Sequence, residues 1–542
     1  MFNELSMTSL AKNKANFFPL TPLSFLYRTA EVFPKRTAWI YGKRKANYQE
    51  FYYKCKTLAA AIRKLKVKKN DVVSVMLPNV PEMIEAHFGI PMSGAILNSL
   101  NTRLEKRTIE FILRHSKSKV FIFHEDYLDL VKTISKKIKI KLIIVKEKNN
   151  NLGQVIDYES FLKEISLEEI KNRSNFYPKD EWDSITLNYT SGTTGEPKGV
   201  LYHHRGAHLM CFNNQMVWKM GYHPTFLWTL PMFHCNGWCF PWTIVALAGT
   251  QICTKKFDGK EIIRLIDKHD VTHLCGAPVI LKMIIDNKQF KTKNRITNIM
   301  TAASPPSPTI LQDIEKIGFL VTHVYGLTES YGPAVICEWK PEWDSLKSKE
   351  KRALLKARQG VSYPSLDYLE VFNTITKKPV KRDGKMLGEV RFRGNIIMKG
   401  YFNNDDANRS AFKNGWFNTG DLAVIHSDGY IELKDRSKDI IISGGENISS
   451  IEIEKIILQK KSILDCAVVG IKNKKWGEVP CAFIECVKEN ITEKEIIDFC
   501  KKHLAGFKLP KKVIFMKLPR TSTGKIKKFD LRKIAEKKSE KV

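Results

Sequence analysis

The sequence predicts an α/β protein. A large N-terminal body of two doubly wound sheets carries a β-subdomain, and a small α+β C-terminal domain follows. Three observations predict this. Short β-rich runs alternate with helical patterns through residues 20–180 and again around 225–330, the pattern of parallel sheets covered by helices. From about residue 365 strands and turns dominate. After 438, a stretch of about 104 residues is long enough to bury its own core.

The elements follow in order. DVVSVMLPN (71–79) is an apolar run ending in a turn signal. PEMIEAHFGIPMSGA reads as the helix after it and AILNSLNT as the next strand. KVFIFHED and IKLIIVKEK continue the alternation. ITLNYT and GVLYHH read as strands flanking a Gly/Thr-rich loop. TFLWTL, GTQICTK, VTHLCGAP and LVTHVYG are strand-like. Residues 338–358 read as a charged, exposed helical excursion. LDYLEVFN, KMLGEVRFRG and GWFNTGDLAVIHSDGYIELKDR form the β-subdomain. The C-terminal part runs helix (450–461), strand (CAVVGIKN), strand (VPCAFIECVK), helix (TEKEIIDFCKKHL), strand (KKVIFMKLP) and a basic helix. Its boundary falls at the polar stretch LKDRSKDI.

Composition narrows the class. Hydrophobic residues are 43% and charged residues 27%, which excludes a mainly disordered or collagen-like chain. No apolar run reaches the ~18–20 residues of a membrane-spanning helix. The opening residues lack the apolar region of a secretory signal, so the expected location is cytoplasmic. The 11 cysteines are scattered without a C-x-x-C and read as buried free thiols. His234, Cys235 and Cys239 fit no common zinc spacing. Lys and Arg number 89 against 57 acids, a net charge of +32, and residues 501–542 hold 15 basic and 3 acidic residues. Such a field attracts polyanions. No aromatic-interleaved RNA-binding signature accompanies it, so a solvated lysine-rich surface outweighs a nucleic-acid-binding protein, and no specific nucleic-acid partner is expected.

The densest chemical signal is Tyr189-Thr-Ser-Gly-Thr-Thr-Gly-Glu-Pro-Lys-Gly199. Its glycines let backbone N–H groups approach a ligand, and its hydroxyls and lysine supply donors to phosphate oxygens. It is not a Walker A loop, because no G-x-x-x-x-G-K-[ST] aligns to it. As composition alone, it could equally be a flexible hairpin.

The full string closely resembles the phosphate loop of the AMP-forming adenylating enzymes, the superfamily of acyl-CoA synthetases, peptide-synthetase adenylation domains and beetle luciferases. Further matches follow in order: Pro231-Met-Phe-His234, Thr301-Ala-Ala-Ser-Pro-Pro306, Tyr325-Gly-Leu-Thr-Glu329, Gly415-Trp-Phe-Asn-Thr-Gly-Asp421, Lys434-Asp-Arg-Ser-Lys-Asp439, Ser443-Gly-Gly-Glu-Asn447 and Arg520-Thr-Ser-Thr-Gly-Lys525. The resemblance covers roughly residues 20–535. PMFHCNGWCFPW looks most like the branch acting on short- and medium-chain or aryl acids.

The resemblance implies a carboxylic acid–CoA ligase that joins an acid to AMP from ATP and then transfers the acyl group to CoA. ATP, Mg²⁺ and CoA are implied, with a small carboxylic acid as the other partner. Thr190, Ser191, Gly192, Thr193, Thr194 and Lys198 would hold the β- and γ-phosphates. Ala303 and Ser304 would line the adenine pocket, where the family's usual first glycine is replaced by Ala302. Tyr325 would stack on adenine beside Gly326, Thr328 would contact the α-phosphate and Glu329 would hold Mg²⁺. Asp421 and Arg436 would bind the ribose, with Asn447 also able to meet the nucleotide. Lys525 would bridge the reacting anions. His234 would gate the acyl site, with Asn236, Gly237 and Trp238 lining it at the start of a helix. Lys438 would be the hinge, dividing the chain into 1–434, a hinge at 435–438, and 439–542. Gly444 and Gly445 would swing in to line the pantetheine tunnel. An enzyme loading a free carrier protein is the nearest alternative and a luciferase-like oxygenase a remote one. Oligomeric state is left open, a homo-oligomer included.

Overall fold

The computed structural model describes residues 12–147, 155–172, 176–190, 196–287, 296–302, 308–436, 438–443, 446–460, 462–473, 476–486, 491–520 and 526–539. Two large sheets dominate. In the first, Val72–Met76 lies between Ile96–Ser99 and Val120–His124, both parallel to it. Ser184–Thr190 extends one side, and Lys141–Val145 with Ile156–Asp157 the other. The chain therefore steps one way from Val72–Met76 and then returns across it, as in a doubly wound sheet. Lys198–His203 adds an antiparallel strand beside Ser184–Thr190, and Gly400–Tyr401 closes that edge.

In the second sheet, Thr37–Tyr41, Thr250–Ile252, Thr225–Leu227, His273–Gly276, Thr297–Thr301 and Phe319–Leu327 run parallel in that spatial order. Phe319–Leu327 is long enough to serve two partners. Its first half pairs with Thr297–Thr301, and from Val324 onward it pairs antiparallel with Gly332–Ile336. The strands are apolar on both faces because helices cover both. Helix Pro81–Met92 is buried along its whole length. One continuous core spans both sheets, from Leu23 and Trp39 through Val75 and Trp242 to Phe392.

The β-subdomain is antiparallel: Tyr368–Phe372, Gly388–Arg393, Trp416–Ile425 and Phe412–Lys413, with Ile431–Arg436 paired to Trp416–Ile425. The C-terminal sheet comprises Glu446–Ile448, Ile441–Ser443, Gly477–Cys486 and Ile463–Asn473, with Lys512–Phe515 parallel to Gly477–Cys486. Its strand residues alternate between two apolar clusters. Val468, Ala482 and Ile484 face helices Ser450–Ile457 and Glu493–Lys501, whereas Val469, Cys481 and Phe483 face helix Lys528–Ser539. The β-subdomain's last strand ends at Arg436, residues 438–440 form no strand or helix, and the C-terminal sheet begins at Ile441. The excursion at 338–358 condenses into a 3₁₀ turn, Pro341–Ser345, and a short helix, Lys349–Lys356. All 11 cysteines are free, and all but Cys486 are buried.

Candidate functional site

Parallel α/β sheets present their ligands at the carboxyl ends of their strands. Both large sheets bring expected residues there. Thr190 ends Ser184–Thr190 and faces Lys198 across the hairpin, its hydroxyl 3.5 Å from the Lys198 carbonyl. Tyr325, Gly326 and Leu327 end the long strand of the second sheet, and Thr328 to Ser330 form the turn that follows.

A cradle forms where this strand end meets the β-subdomain. Asp421 and Arg436 are direct partners on adjacent strands. Arg436 Nε lies 3.1 Å from Asp421 Oδ1, and the Tyr325 hydroxyl donates to Oδ2 at 2.7 Å. Asp421 and Tyr325 are both buried. The Asp421 charge is the main influence raising the Arg436 pKa above its ordinary value, against the burial that would lower it. Burial, reinforced by Asp421, pushes the Tyr325 phenol far up, so it stays a donor. Gly326 is required by close approach: a Cβ there would stand 1.9 Å from the Gly332 carbonyl oxygen.

Thr328 and Glu329 sit beside this cradle. The Tyr202 hydroxyl donates to the Thr328 carbonyl at 2.6 Å, and the Tyr401 hydroxyl donates to Glu329 Oε1 at 2.7 Å. Tyr401 also meets Lys198, whose ammonium is 4.9 Å from the ring centroid. Tyr401 thus links Lys198 to Glu329. Neither Tyr202 nor Tyr401 was among the sequence expectations, since no spacing ties them to Tyr325-Gly-Leu-Thr-Glu329. Among the described residues no three His, Cys, Asp or Glu side chains cluster to hold a metal. A single carboxylate such as Glu329 still suits Mg²⁺, which keeps waters and takes phosphate oxygens rather than a protein cage.

The segment after His234 corrects one expectation. Residues 236–238 do not begin a right-handed helix. Cys235, Asn236, Gly237, Trp238 and Cys239 have φ of 45°, 42°, 53°, 54° and 63°, a left-handed turn. The helix starts at Phe240 because Pro241 fits a first turn but not a helix interior. Such φ values cost ~1–2 kcal/mol per non-glycine residue, so neighbours must hold the turn. Asn236 Oδ1 accepts from Thr186 (2.7 Å) and Asn188 (2.5 Å). Its amide donates to His87 Nε2 (3.2 Å) and Ser99 Oγ (3.3 Å). His87 Nδ1 in turn donates to the Met83 carbonyl at 2.7 Å. Burial lowers the His87 pKa to about 4, which keeps it neutral and able to accept at Nε2. Asn214 donates to the Trp238 carbonyl at 2.9 Å, and a Cβ on Gly237 would strike the Trp228 ring at 2.8 Å. The Asn236 amide is therefore spent on this buried network. Trp238 is buried against Gly332. Cys235 Sγ lies 3.3 Å from the Thr328 hydroxyl, and burial pushes its thiol up to about 12.

Lys438 follows the last strand of the β-subdomain. Arg532 donates to its carbonyl at 3.2 Å and pairs with Asp439. Ser191, Gly192, Thr193, Thr194, Ala303, Ser304, Gly444, Gly445 and Lys525, and the Asn447 side chain, lie outside the described residues.

The comparisons agree with this geometry. The family model for the AMP-binding enzyme matches residues 26–402, and that for the AMP-binding enzyme C-terminal domain matches 452–525. The peroxisomal trans-cinnamate:CoA ligase of Petunia hybrida is 45% identical, over 98% of this chain and 96% of its own. The peroxisomal acetate/butyrate–CoA ligase of Arabidopsis thaliana is 44% identical over 96% of each. The o-succinylbenzoate CoA synthetase of Bacillus subtilis, with its acyl-adenylate intermediate, superposes with a TM-score of 0.81 at 27% identity, over 94% of this chain and 97% of its own. With ATP and magnesium ion bound, it gives 0.79 at 26%, over 94% and 98%. The chain belongs to the AMP-binding enzyme family, and its class is that of the AMP-forming acid–CoA ligases. The expected cytoplasmic location is corrected: both plant relatives are peroxisomal. Among the described residues no helix is long and apolar enough to cross a membrane.

Proposed function

We propose that the protein activates a short- or medium-chain fatty acid, or a small aryl acid, with ATP and passes the acyl group to CoA. The observation that carries this is the Tyr325–Asp421–Arg436 cradle beside Thr328 and Glu329. It offers an aromatic face, a carboxylate for ribose hydroxyls and a site for the α-phosphate within one strand end. A carboxylate oxygen of the acid attacks the α-phosphorus, the α–β anhydride breaks and pyrophosphate leaves. The CoA thiolate then attacks the acyl carbonyl and AMP leaves.

Thr190 to Thr194 and Lys198 hold the departing phosphates, Tyr325 stacks on adenine next to Ala303 and Ser304, and Asp421 and Arg436 hold the ribose. Glu329 would hold Mg²⁺, which would supply charge neutralisation to the phosphates. Lys525 steadies the two anions as they meet. His234 closes the acyl site, with Trp238 limiting its depth. Lys438 is the hinge on which residues 439–542 turn between the half-reactions, bringing Gly444 and Gly445 to the pantetheine arm. The cinnamate and acetate/butyrate specificities of the relatives support small acids, and their location supports a peroxisomal one here.

The test is CoA-dependent AMP release across acids from acetate to palmitate, with benzoate, cinnamate and methylthiopropionate. ATP–pyrophosphate exchange is measured alongside. Turnover peaking among small acids is expected. Exchange without CoA-dependent AMP release would point instead to a carrier protein as acceptor.

A further inference from the structure

A cavity of about 610 Å³ begins at Lys198 and Tyr401 and extends over the β-subdomain strands Gly388–Arg393 and Trp416–Ile425, beside helix Asp405–Ala411. Among the described residues, four cationic side chains line it, Lys198, Lys377, Arg391 and Lys413, against one carboxylate, Glu389. Lysine is abundant on this chain, so Lys377 and Lys413, both exposed, would mean little alone. Arg391 is different. It is only 8% exposed, and its guanidinium lies 4.4 Å over the Phe372 ring. Among the described residues its Nε has no hydrogen-bond partner, and Glu389 Oε2 stands 3.6 Å away. Leaving an N–H of a buried guanidinium without a partner is costly. Its planar fork matches phosphate oxygens.

We propose that this cavity takes a diphosphate group. Resting on the reading above, that group is either the pyrophosphate cleaved from ATP or the diphosphate of CoA's nucleotide end. Lys198 lines the cavity and belongs to the loop assigned to the β- and γ-phosphates, so an anion leaving that loop enters a space that Arg391 and Lys413 also line. Four cations against one carboxylate make this path favourable to a multiply charged leaving group and sensitive to ionic strength.

The test uses the full-length enzyme saturated with α,β-methylene-ATP, which occupies the nucleotide site. Inorganic pyrophosphate is titrated into it by calorimetry, and desulfo-CoA is titrated separately. At least one should bind, and binding should weaken about tenfold per cation removed in Lys377→Gln and Lys413→Gln, the size of one lost charge-assisted contact. Arg391→Lys should weaken binding less than Arg391→Gln. Desulfo-CoA that displaces pyrophosphate assigns the site to CoA; pyrophosphate that binds undisplaced assigns it to the leaving group. Binding of neither probe, or a double lysine variant that binds as tightly as the unaltered protein, overturns the proposal. ATP–pyrophosphate exchange in the unaltered enzyme separately tests the adenylating reading, so the two can fail independently.

Discussion

Asp421 holds two partners with one carboxylate. Its Oδ2 takes the Tyr325 hydroxyl and its Oδ1 faces Arg436. Asp421→Asn keeps the shape and removes the charge. Losing a charge-assisted contact of ~1.5–3 kcal/mol should lower kcat/KM for ATP about 10- to 100-fold. Tyr325→Phe keeps the aromatic face and loses only the hydroxyl, so its loss should be smaller. Steady-state kinetics with ATP varied orders the two; an Asp421→Asn enzyme with unchanged kcat/KM for ATP would place the ribose elsewhere. Lys525 belongs to the same scale. Lys525→Ala should slow adenylate formation about 10²- to 10³-fold, the cost of one preorganised charge. Thioester formation from preformed acyl-adenylate should suffer much less, and equal loss in both half-reactions would remove Lys525 from the bridging role.

Elements separate what the sequence discloses from what it hides. Ser184–Thr190 and Lys198–His203 were legible because apolar runs flank a glycine-rich break, and Phe319–Leu327 because an apolar run ends in Tyr325-Gly326. The left-handed turn at 235–239 was hidden. Only Pro241 hinted that the helix starts late, and the groups that hold the turn, His87, Ser99, Thr186 and Asn188, come from distant strands and a helix. Tyr401 was hidden for the same reason, since only the packing of Gly400–Tyr401 on the sheet edge brings it to Glu329. This turn changes how Trp238 is tested. A Cβ on Gly332 would come within 2.9 Å of the Trp238 ring and 3.2 Å of its Cα, at a φ of +102°. Gly332→Ala should therefore displace the indole, and Trp238→Ala should remove it. If Trp238 limits the acyl site, both should shift kcat/KM among C4, C8 and C12 acids, graded at ~1–3 kcal/mol per methylene. If the indole only fills the core, Trp238→Ala should cost ~3–5 kcal/mol of stability with the chain-length profile unchanged.

Across the whole molecule, two C-terminal helices are tied to residues 435–439 by polar and charged contacts. Asp435 Oδ2 accepts from both the backbone and the hydroxyl of Ser450 at 2.6 Å, and Arg532 reaches Lys438 and Asp439. Lys438→Pro fixes φ and should leave one half-reaction nearly intact while blocking the other; normal turnover would move the hinge. Stability with pH is set more broadly. Burial lowers His87, His273 and His323 to about 4 and His203 and His204 to about 3, against an ordinary value near 6.5. Once pH drops below 6.5 the unfolded chain binds protons that the folded one refuses, so the stability these histidines contribute is present above 6.5 and lost progressively toward 4. Glu85 acts in the opposite sense. Burial raises it to about 7, so its contribution is present at low pH and lost as pH rises through 7. One such carboxyl cannot offset five histidines, since every tenfold loss of proton affinity at a site is worth about 1.4 kcal/mol. The melting temperature should therefore peak near pH 7 and fall steeply from 6.5 to 4.5. In His323→Gln the slope below 6.5 should lessen by up to one proton, whatever that variant's own stability. A melting temperature that stays flat from pH 7 to 5 would mean these imidazoles reach solvent and titrate freely.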